Sequence, residues 1–342
     1  MAFPPAAGDA TPSLDFWTYL QASPPLLLDG AMGTELDRRA GLVEKRGWAA
    51  GALLTHPELV RAIHDDYVAA GADIHTTQTF STARHVLENA GWAEHFESMN
   101  RTAVRLCREA ITAAGDKRPR WIAGSISTYA EGSNRDKLPA AARLAGDFAE
   151  QAQLLANEGV DLLALEMLFD VETSQLALRA AAATGLPVML GFTCRWSDDR
   201  RTVETRRGEL SARGPLLLAD ALPAVLAAAP AGARLIVAIM HSDFDVTDAT
   251  LDIVQAHWDG PVALYPNSGV YLVPHWQFDT VCAPEVFAGV AAGWAARRAH
   301  IIGGCCGLGP AHLGAARTKL DLDPSRPTAS GKAATPSCHR PV

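Results

Sequence analysis

The 342-residue sequence predicts a single-domain (β/α)₈ barrel of the α/β class with short N- and C-terminal extensions, and three observations carry that expectation. Eight short apolar runs alternate with long Ala- and Leu-rich stretches of helical spacing. The runs show little polar–apolar alternation, as parallel strands buried on both faces do. A residue able to bind or ligate follows each run, and in a parallel barrel all those strand ends share one rim.

The first run, Leu26–Leu28, leads into Asp29. Thr55-His56-Pro57-Glu58 then opens a helix in which Leu59, Ile63, Tyr67 and Val68 repeat at helical spacing, and Ala70-Gly71 closes it. The second run, Ala72–Thr76, leads into Thr77 to Thr79; the third, Trp121–Ile126, carries Ser125 and Ser127 at its end. The fourth, Leu162–Leu165, ends at Glu166, and the fifth, Val188–Phe192, at Thr193 and Cys194. The sixth, Leu235–Met240, ends at His241, the seventh, Val262–Tyr265, precedes Asn267, and the eighth, His300–Ile302, precedes Cys305-Cys306. Eight repeats of strand and helix favour closure over an open doubly wound sheet, and no GxGxxG turn follows the first run. Residues 24–320 are assigned to the barrel. Residues 1–23, rich in Ala and Pro with a short helix near Leu14–Leu20, form an N-terminal extension. Residues 321–342 are polar and Pro-rich and read as a mobile tail.

With 48% hydrophobic and 20% charged residues the chain has the make-up of a globular protein with a large core. Its formal net charge of −8 and lack of a basic block argue against nucleic acid or an anionic membrane as partner. Met1 to Asp15 lack the charged start and apolar run of a signal peptide, and no stretch reaches the roughly 18 apolar residues of a membrane span. A cytoplasmic protein is expected, its oligomeric state left open. In that reducing setting the six cysteines point to burial, metal binding or catalysis rather than disulfides.

Gly303-Gly304-Cys305-Cys306-Gly307 is the sharpest motif. Flanking glycines let the backbone turn tightly enough for two neighbouring sulfurs to face one point. Two thiolates and one distant donor leave a fourth position open, the arrangement of a catalytic zinc. The competing reading is a pair of small buried apolar side chains. Asp29 and Glu166 place two carboxylates on the same rim; taken alone, Asp29 after a strand reads as a helix cap and Glu166 as a solvated acid.

These segments resemble the homocysteine S-methyltransferase family. The matching pieces are Leu28 to Leu36 (LDGAMGTEL), Thr55 to Glu58, Tyr67 to Phe80 (YVAAGADIHTTQTF), Ala164 to Glu166, Gly191 to Cys194, Tyr265 to Gly269 and Ile301 to Gly307. The resemblance implies a barrel enzyme that holds zinc (Zn²⁺) through three protein ligands and moves a methyl group from a sulfonium or similar onium donor to a thiol such as homocysteine. It further implies Cys305 and Cys306 as zinc ligands, Asp29 and Glu166 as partners of the acceptor's amino group, backbone amides around Gly30 and Thr79 as holders of its carboxylate, and Asn267 in the pocket wall.

One position departs from the family. Where its members carry Gly-Val-Asn-Cys at the sixth strand end, this chain reads Ala238-Ile239-Met240-His241. Histidine is itself a good zinc ligand, so a His241–Cys305–Cys306 site is expected, with Asp243 or Asp245 placed to orient the imidazole. Ser81 stands where betaine-dependent members carry Tyr, which disfavours betaine as donor; Trp48 offers a face for a sulfonium. Two alternatives stay open: a zinc hydrolase using Cys₂His-bound water with Glu166 as base, and a barrel that binds without catalysing.

Overall fold

The computed structural model describes residues 15–22, 25–43, 47–129, 138–205, 214–272 and 275–322. Eight parallel strands form the barrel wall: β1 (Leu26–Leu27), β2 (Ile74–Thr76), β3 (Trp121–Ser127), β4 (Leu162–Leu168), β5 (Val188–Trp196), β6 (Leu235–Asp243), β7 (Val262–Asn267) and β8 (Ile301–Ile302). Hydrogen bonding runs β1-β8-β7-β6-β5-β4-β3-β2, and a single parallel bridge between Leu28 and Ile74 joins the two ends. Asp29 and Asp73 secure that seam by donating their amides to the carbonyls of Ile74 (2.9 Å) and Leu27 (2.7 Å).

Apolar residues pack in two shells. Leu26, Ile74, Trp121, Leu162, Met189 and Ile236 fill the barrel interior. A larger cluster, including Leu27, Leu163, Leu190 and Val237, lies between the wall and the surrounding helices. Successive strand residues thus serve opposite faces, both dry, and the sequence shows apolar runs rather than alternation. The helix expected after Pro57 spans Pro57–Ala70, with Gly71 ending it at φ 95° and donating to the Tyr67 carbonyl at 3.1 Å. That left-handed cap is why a glycine stands there.

All eight expected strands are present, with corrected bounds. β3 to β7 run on to Ser127, Leu168, Trp196, Asp243 and Asn267, beyond the apolar runs. The backbone ladder continues where side chains turn polar, so an apolar run ends too early as a marker. β1, β2 and β8 are shorter than their runs: Leu28 joins only through an isolated bridge, Ala72 donates to the Tyr67 carbonyl at the end of the preceding helix, and Asp73 and His300 make a single backbone bond to each neighbouring strand. The helix expected near Leu14–Leu20 is Phe16–Ala22; it buries Phe16 and Leu20 against the interior cluster, with Phe16 edge-on to Trp121 at 5.6 Å. Trp121 begins β3, so this helix plugs the N-terminal end of the barrel. Two small additions were not foreseen: Val203–Thr205, antiparallel to the end of β5, and a hairpin of Val270–Leu272 with His275–Gln277 beside the rim. The proposed tail from 321 falls, apart from Asp321 and Leu322, outside the described residues. No helix among the described residues is long and apolar enough to cross a membrane.

Candidate active site at the barrel mouth

The C-terminal rim encloses a cavity of about 500 Å³. β6 delivers His241, and the turn after β8 delivers Cys305 and Cys306. The His241 Nδ1 lies 3.8 Å from the Cys305 Sγ and 3.7 Å from the Cys306 Sγ, and the sulfurs are 4.0 Å apart. A tetrahedral zinc with ordinary Zn–S and Zn–N bonds needs separations of about 3.6 Å for S–N and about 3.8 Å for S–S. The three donors therefore fit one ion with little movement, and all three line the cavity, where a fourth ligand would come from. Chemistry agrees. Close contact with the Cys306 sulfur, together with burial, pushes the Cys305 thiol well above its usual range. A thiol held up in this way ionises far more readily beside a cation.

The backbone shows why the motif reads as it does. A side chain at Gly304 would stand 2.5 Å from the Leu308 Cβ, and one at Gly307, at φ 83°, 2.0 Å from the Ser268 carbonyl. His241 itself sits at φ 48°, a left-handed conformation uncommon outside glycine, as does Met167, also in the cavity wall, at φ 59°. Such strain concentrates at working sites. Asn267 ties the centre together: its Nδ2 lies 3.3 Å from the His241 Nδ1, and its Oδ1 accepts from the Cys306 amide at 3.0 Å. Of the two carboxylates proposed to orient His241, one is engaged elsewhere. Asp245 pairs with Arg200 at 2.6 Å, while Asp243 lines the cavity.

Asp29 and Glu166 both line the cavity and are almost wholly buried. The Asp29 Oδ2 accepts from the Thr76 amide at 2.8 Å, and Glu166 Oε2 accepts from the Ser125 hydroxyl at 2.5 Å. Burial raises Asp29 to about 8 against the opposing Thr76 bonds, and the Glu166 charge adds to the rise. Burial likewise raises Glu166 to about 7, opposed by the Ser125 hydroxyl and His241. Two facing acids that resist ionisation when empty gain most from a ligand that brings positive charge.

Gly30 lines the cavity as expected; a side chain there would meet the Leu308 carbonyl at 2.3 Å and the Tyr67 hydroxyl at 2.6 Å. Thr79 does not. It is fully buried, its amide donates to the Thr77 carbonyl at 2.7 Å and its hydroxyl to the Ser125 carbonyl at 2.7 Å. The tight turn at Thr77 consumes the amide assigned to a substrate carboxylate, and Thr77 and Gln78 line the cavity instead. Ser81 is also buried, bonded to the Gly47 carbonyl at 2.8 Å. Trp48 lines the cavity, and Tyr271 and Trp276 of the hairpin extend its wall: Trp48 meets Tyr271 edge-on at 5.7 Å, and Tyr271 stacks on Trp276 at 6.2 Å. Phe80, Tyr129 and Phe169 line it too. The hairpin aromatics escaped the sequence reading, although a proline, Pro274, between two aromatic-bearing segments was an available turn signal.

Fold and site define a (β/α)₈-barrel enzyme with a two-sulfur, one-nitrogen donor set at its mouth. The sequence model of the family described as homocysteine S-methyltransferase matches residues 26–320. The chain belongs to the homocysteine S-methyltransferase family, and it is a thiol methyltransferase by that membership. It is 29% identical to the homocysteine S-methyltransferase of Escherichia coli, covering 86% of this chain and 94% of that protein. It is 27% identical to the selenocysteine Se-methyltransferase of Brassica oleracea var. italica, over 86% and 88% of the two chains. Among solved structures, the metallated form of the homocysteine methyltransferase MmuM from Escherichia coli superposes with a TM-score of 0.70 at 27% identity, covering 88% of this chain and 98% of that one.

Proposed function

We propose that this protein methylates the thiol of an amino acid such as homocysteine, using a sulfonium donor and one zinc ion held by His241, Cys305 and Cys306. The observation that carries the reading is the convergence of those three donors, 3.7–4.0 Å apart, beside two buried carboxylates. A zinc ion held there would keep an acceptor thiol ionised near neutral pH. Asp29 and Glu166 receive the acceptor's ammonium group, which turns both acids into carboxylates as it binds. The Gly30 backbone faces the acceptor's carboxylate, and Asn267 holds the turn that carries Cys306 by accepting from its amide, while its own amide yields the His241 Nδ1 lone pair to the metal. Trp48, Tyr271 and Trp276 present aromatic faces to the donor's positive sulfur. In the transfer, the acceptor sulfur forms the new S–CH₃ bond with its lone pair as the donor's C–S bond breaks. The electron pair of the broken C–S bond stays on the donor sulfur, which leaves as a neutral thioether.

Family membership replaces the hydrolase and the inert barrel that the sequence left open. A cytoplasmic setting fits the reading, since Cys305 and Cys306 must stay reduced to serve as ligands. The test is a methyl-transfer assay with homocysteine and S-methylmethionine on chelated and zinc-restored protein, paired with elemental analysis. Methionine should form only in the restored sample. Equal rates in both samples would overturn the metal assignment, and no methionine in either would overturn the acceptor–donor pair.

A further inference from the structure

Next to Asp29 lie two histidines that the reaction does not use. His64 comes from the helix Pro57–Ala70 and His75 from β2, and both are fully buried between wall and helices. None of their four ring nitrogens has a hydrogen-bond partner. The Ala72 backbone near His75 only tempers the fall of its pKa and is out of bonding geometry. Four orphaned nitrogens in one dry spot are rare, because each forfeits its water without compensation. Burial keeps both rings neutral, with His64 lowered to about 3, so each ring offers a lone pair.

The third member is Asp29. One ligand atom from each of Asp29, His64 and His75 lies within 4.8 Å of the others. The influences on the Asp29 charge are burial, the Thr76 bonds and the neighbouring Glu166 carboxylate. The cluster therefore offers two neutral nitrogen donors and one acid to a common point. We propose that Asp29, His64 and His75 form a second metal site, for a divalent transition ion of the zinc–cobalt class, filled when no acceptor ammonium occupies Asp29. Two imidazoles and one carboxylate are a ligand set for such ions, whereas magnesium and calcium take oxygen donors. Asp29 also lines the cavity, so the cluster meets the barrel mouth at its acid. The site is chemically distinct from the one on the rim, since it contains no sulfur.

That difference makes the two sites separable by experiment. The full-length protein is chelated and titrated with cobalt(II) alone, following bound metal by elemental analysis and thiolate-to-cobalt charge transfer by absorbance. Wild type should take up two equivalents and show the charge-transfer band. The double variant Cys305→Ser/Cys306→Ser should lose the band and keep one equivalent. Adding His75→Leu to it, or separately His64→Gln, should remove that remaining equivalent. In an otherwise native chain, His75→Leu should keep the band and lose one equivalent. The two histidine substitutions differ in shape, so failure of one to fold leaves the other to decide. X-ray absorption on the double-cysteine variant should show imidazole scattering and no sulfur. A double-cysteine variant that binds no cobalt, or a residual equivalent that survives both histidine substitutions, overturns the second site. A wild type without the band counts against the rim assignment and not against this one.

Discussion

At the scale of single residues, the exchange that sets the site apart is His241. Histidine is among the residues that tolerate the left-handed backbone at φ 48°, and its Nδ1 reaches both sulfurs. His241→Cys should retain metal and add one negative charge to the donor set. An acceptor sulfur beside it would then be harder to ionise but more nucleophilic once ionised. The rate with homocysteine should therefore exceed wild type at alkaline pH, with its apparent pKa moved upward. A rate below wild type at every pH, with metal retained, would sink the argument.

The two acids make a second prediction. Asp29→Asn and Glu166→Gln should each weaken acceptor binding by about 1.5–3 kcal/mol, the worth of a hydrogen bond to a charged group, and leave the rim metal in place. Isothermal titration with homocysteine, read beside metal content, checks it; unchanged affinity in both variants places the amine elsewhere. The same acids govern pH stability in the metal-free, ligand-free protein. Their folded pKa values, about 8 and about 7, lie above the ordinary values of 3.8 and 4.5. An acid raised in this way contributes stability that is complete below its unfolded pKa and fades as pH climbs through the folded one. The melting temperature of Asp29→Asn should therefore gain on wild type from about pH 4 to about pH 8 and level off above that. A gap that closes with rising pH would reverse the sign and refute it.

At the scale of elements, the strands carried most of the site into view. Asp29, Glu166, His241, Asn267 and the cysteine pair all follow apolar runs, and parallel closure brings such ends together without further information. Thr79 was misplaced for a physical reason. A loop residue's position depends on how the turn spends its own amides, and the bond from Thr79 to Thr77 leaves no trace in composition or spacing. The hairpin was missed because it belongs to no repeat. Asp37 anchors it, accepting from the Trp276 amide at 3.1 Å and lying 2.8 Å from the His275 Nδ1. This tether holds Tyr271 against Trp48, and both line the cavity. Tyr271→Ala should then raise KM for a sulfonium donor by the equivalent of about 0.5–2 kcal/mol with little change in KM for the acceptor, while Tyr271→Phe should restore it. An equal rise for both substrates would mark the hairpin as a general gate instead.

At the scale of the molecule, the barrel is fastened unevenly. β5 and β6 share an unbroken run of six paired residues from Val188–Leu235 to Thr193–Met240, whereas β1 meets β8 through two pairs and β2 through one bridge. The seam at β1 lies under Asp29, so anything that opens it disturbs the acceptor's amine site. The helix Phe16–Ala22 offsets this weakness from below, driving Leu20, with no exposed surface, into the interior cluster beside Leu26 and Trp121. In the sequence it reads as an appendage, since seven residues among Ala and Pro carry too little periodicity to announce a plug. Burial now gives it weight. Leu20→Ala should lower unfolding stability by about 2–5 kcal/mol, the range for emptying a buried leucine. Urea unfolding measures the loss. Hydrogen exchange locates it: amides of Leu27 and Leu28 should quicken far more than those of Leu190 and Gly191, because the floor supports the weak seam first. Because Asp29 hangs from that seam through its bond to Thr76, homocysteine binding should weaken in the same variant while cobalt charge transfer at Cys305 and Cys306 stays. Uniform quickening across all eight strands would instead show a barrel that opens as one unit, with no special role for its floor.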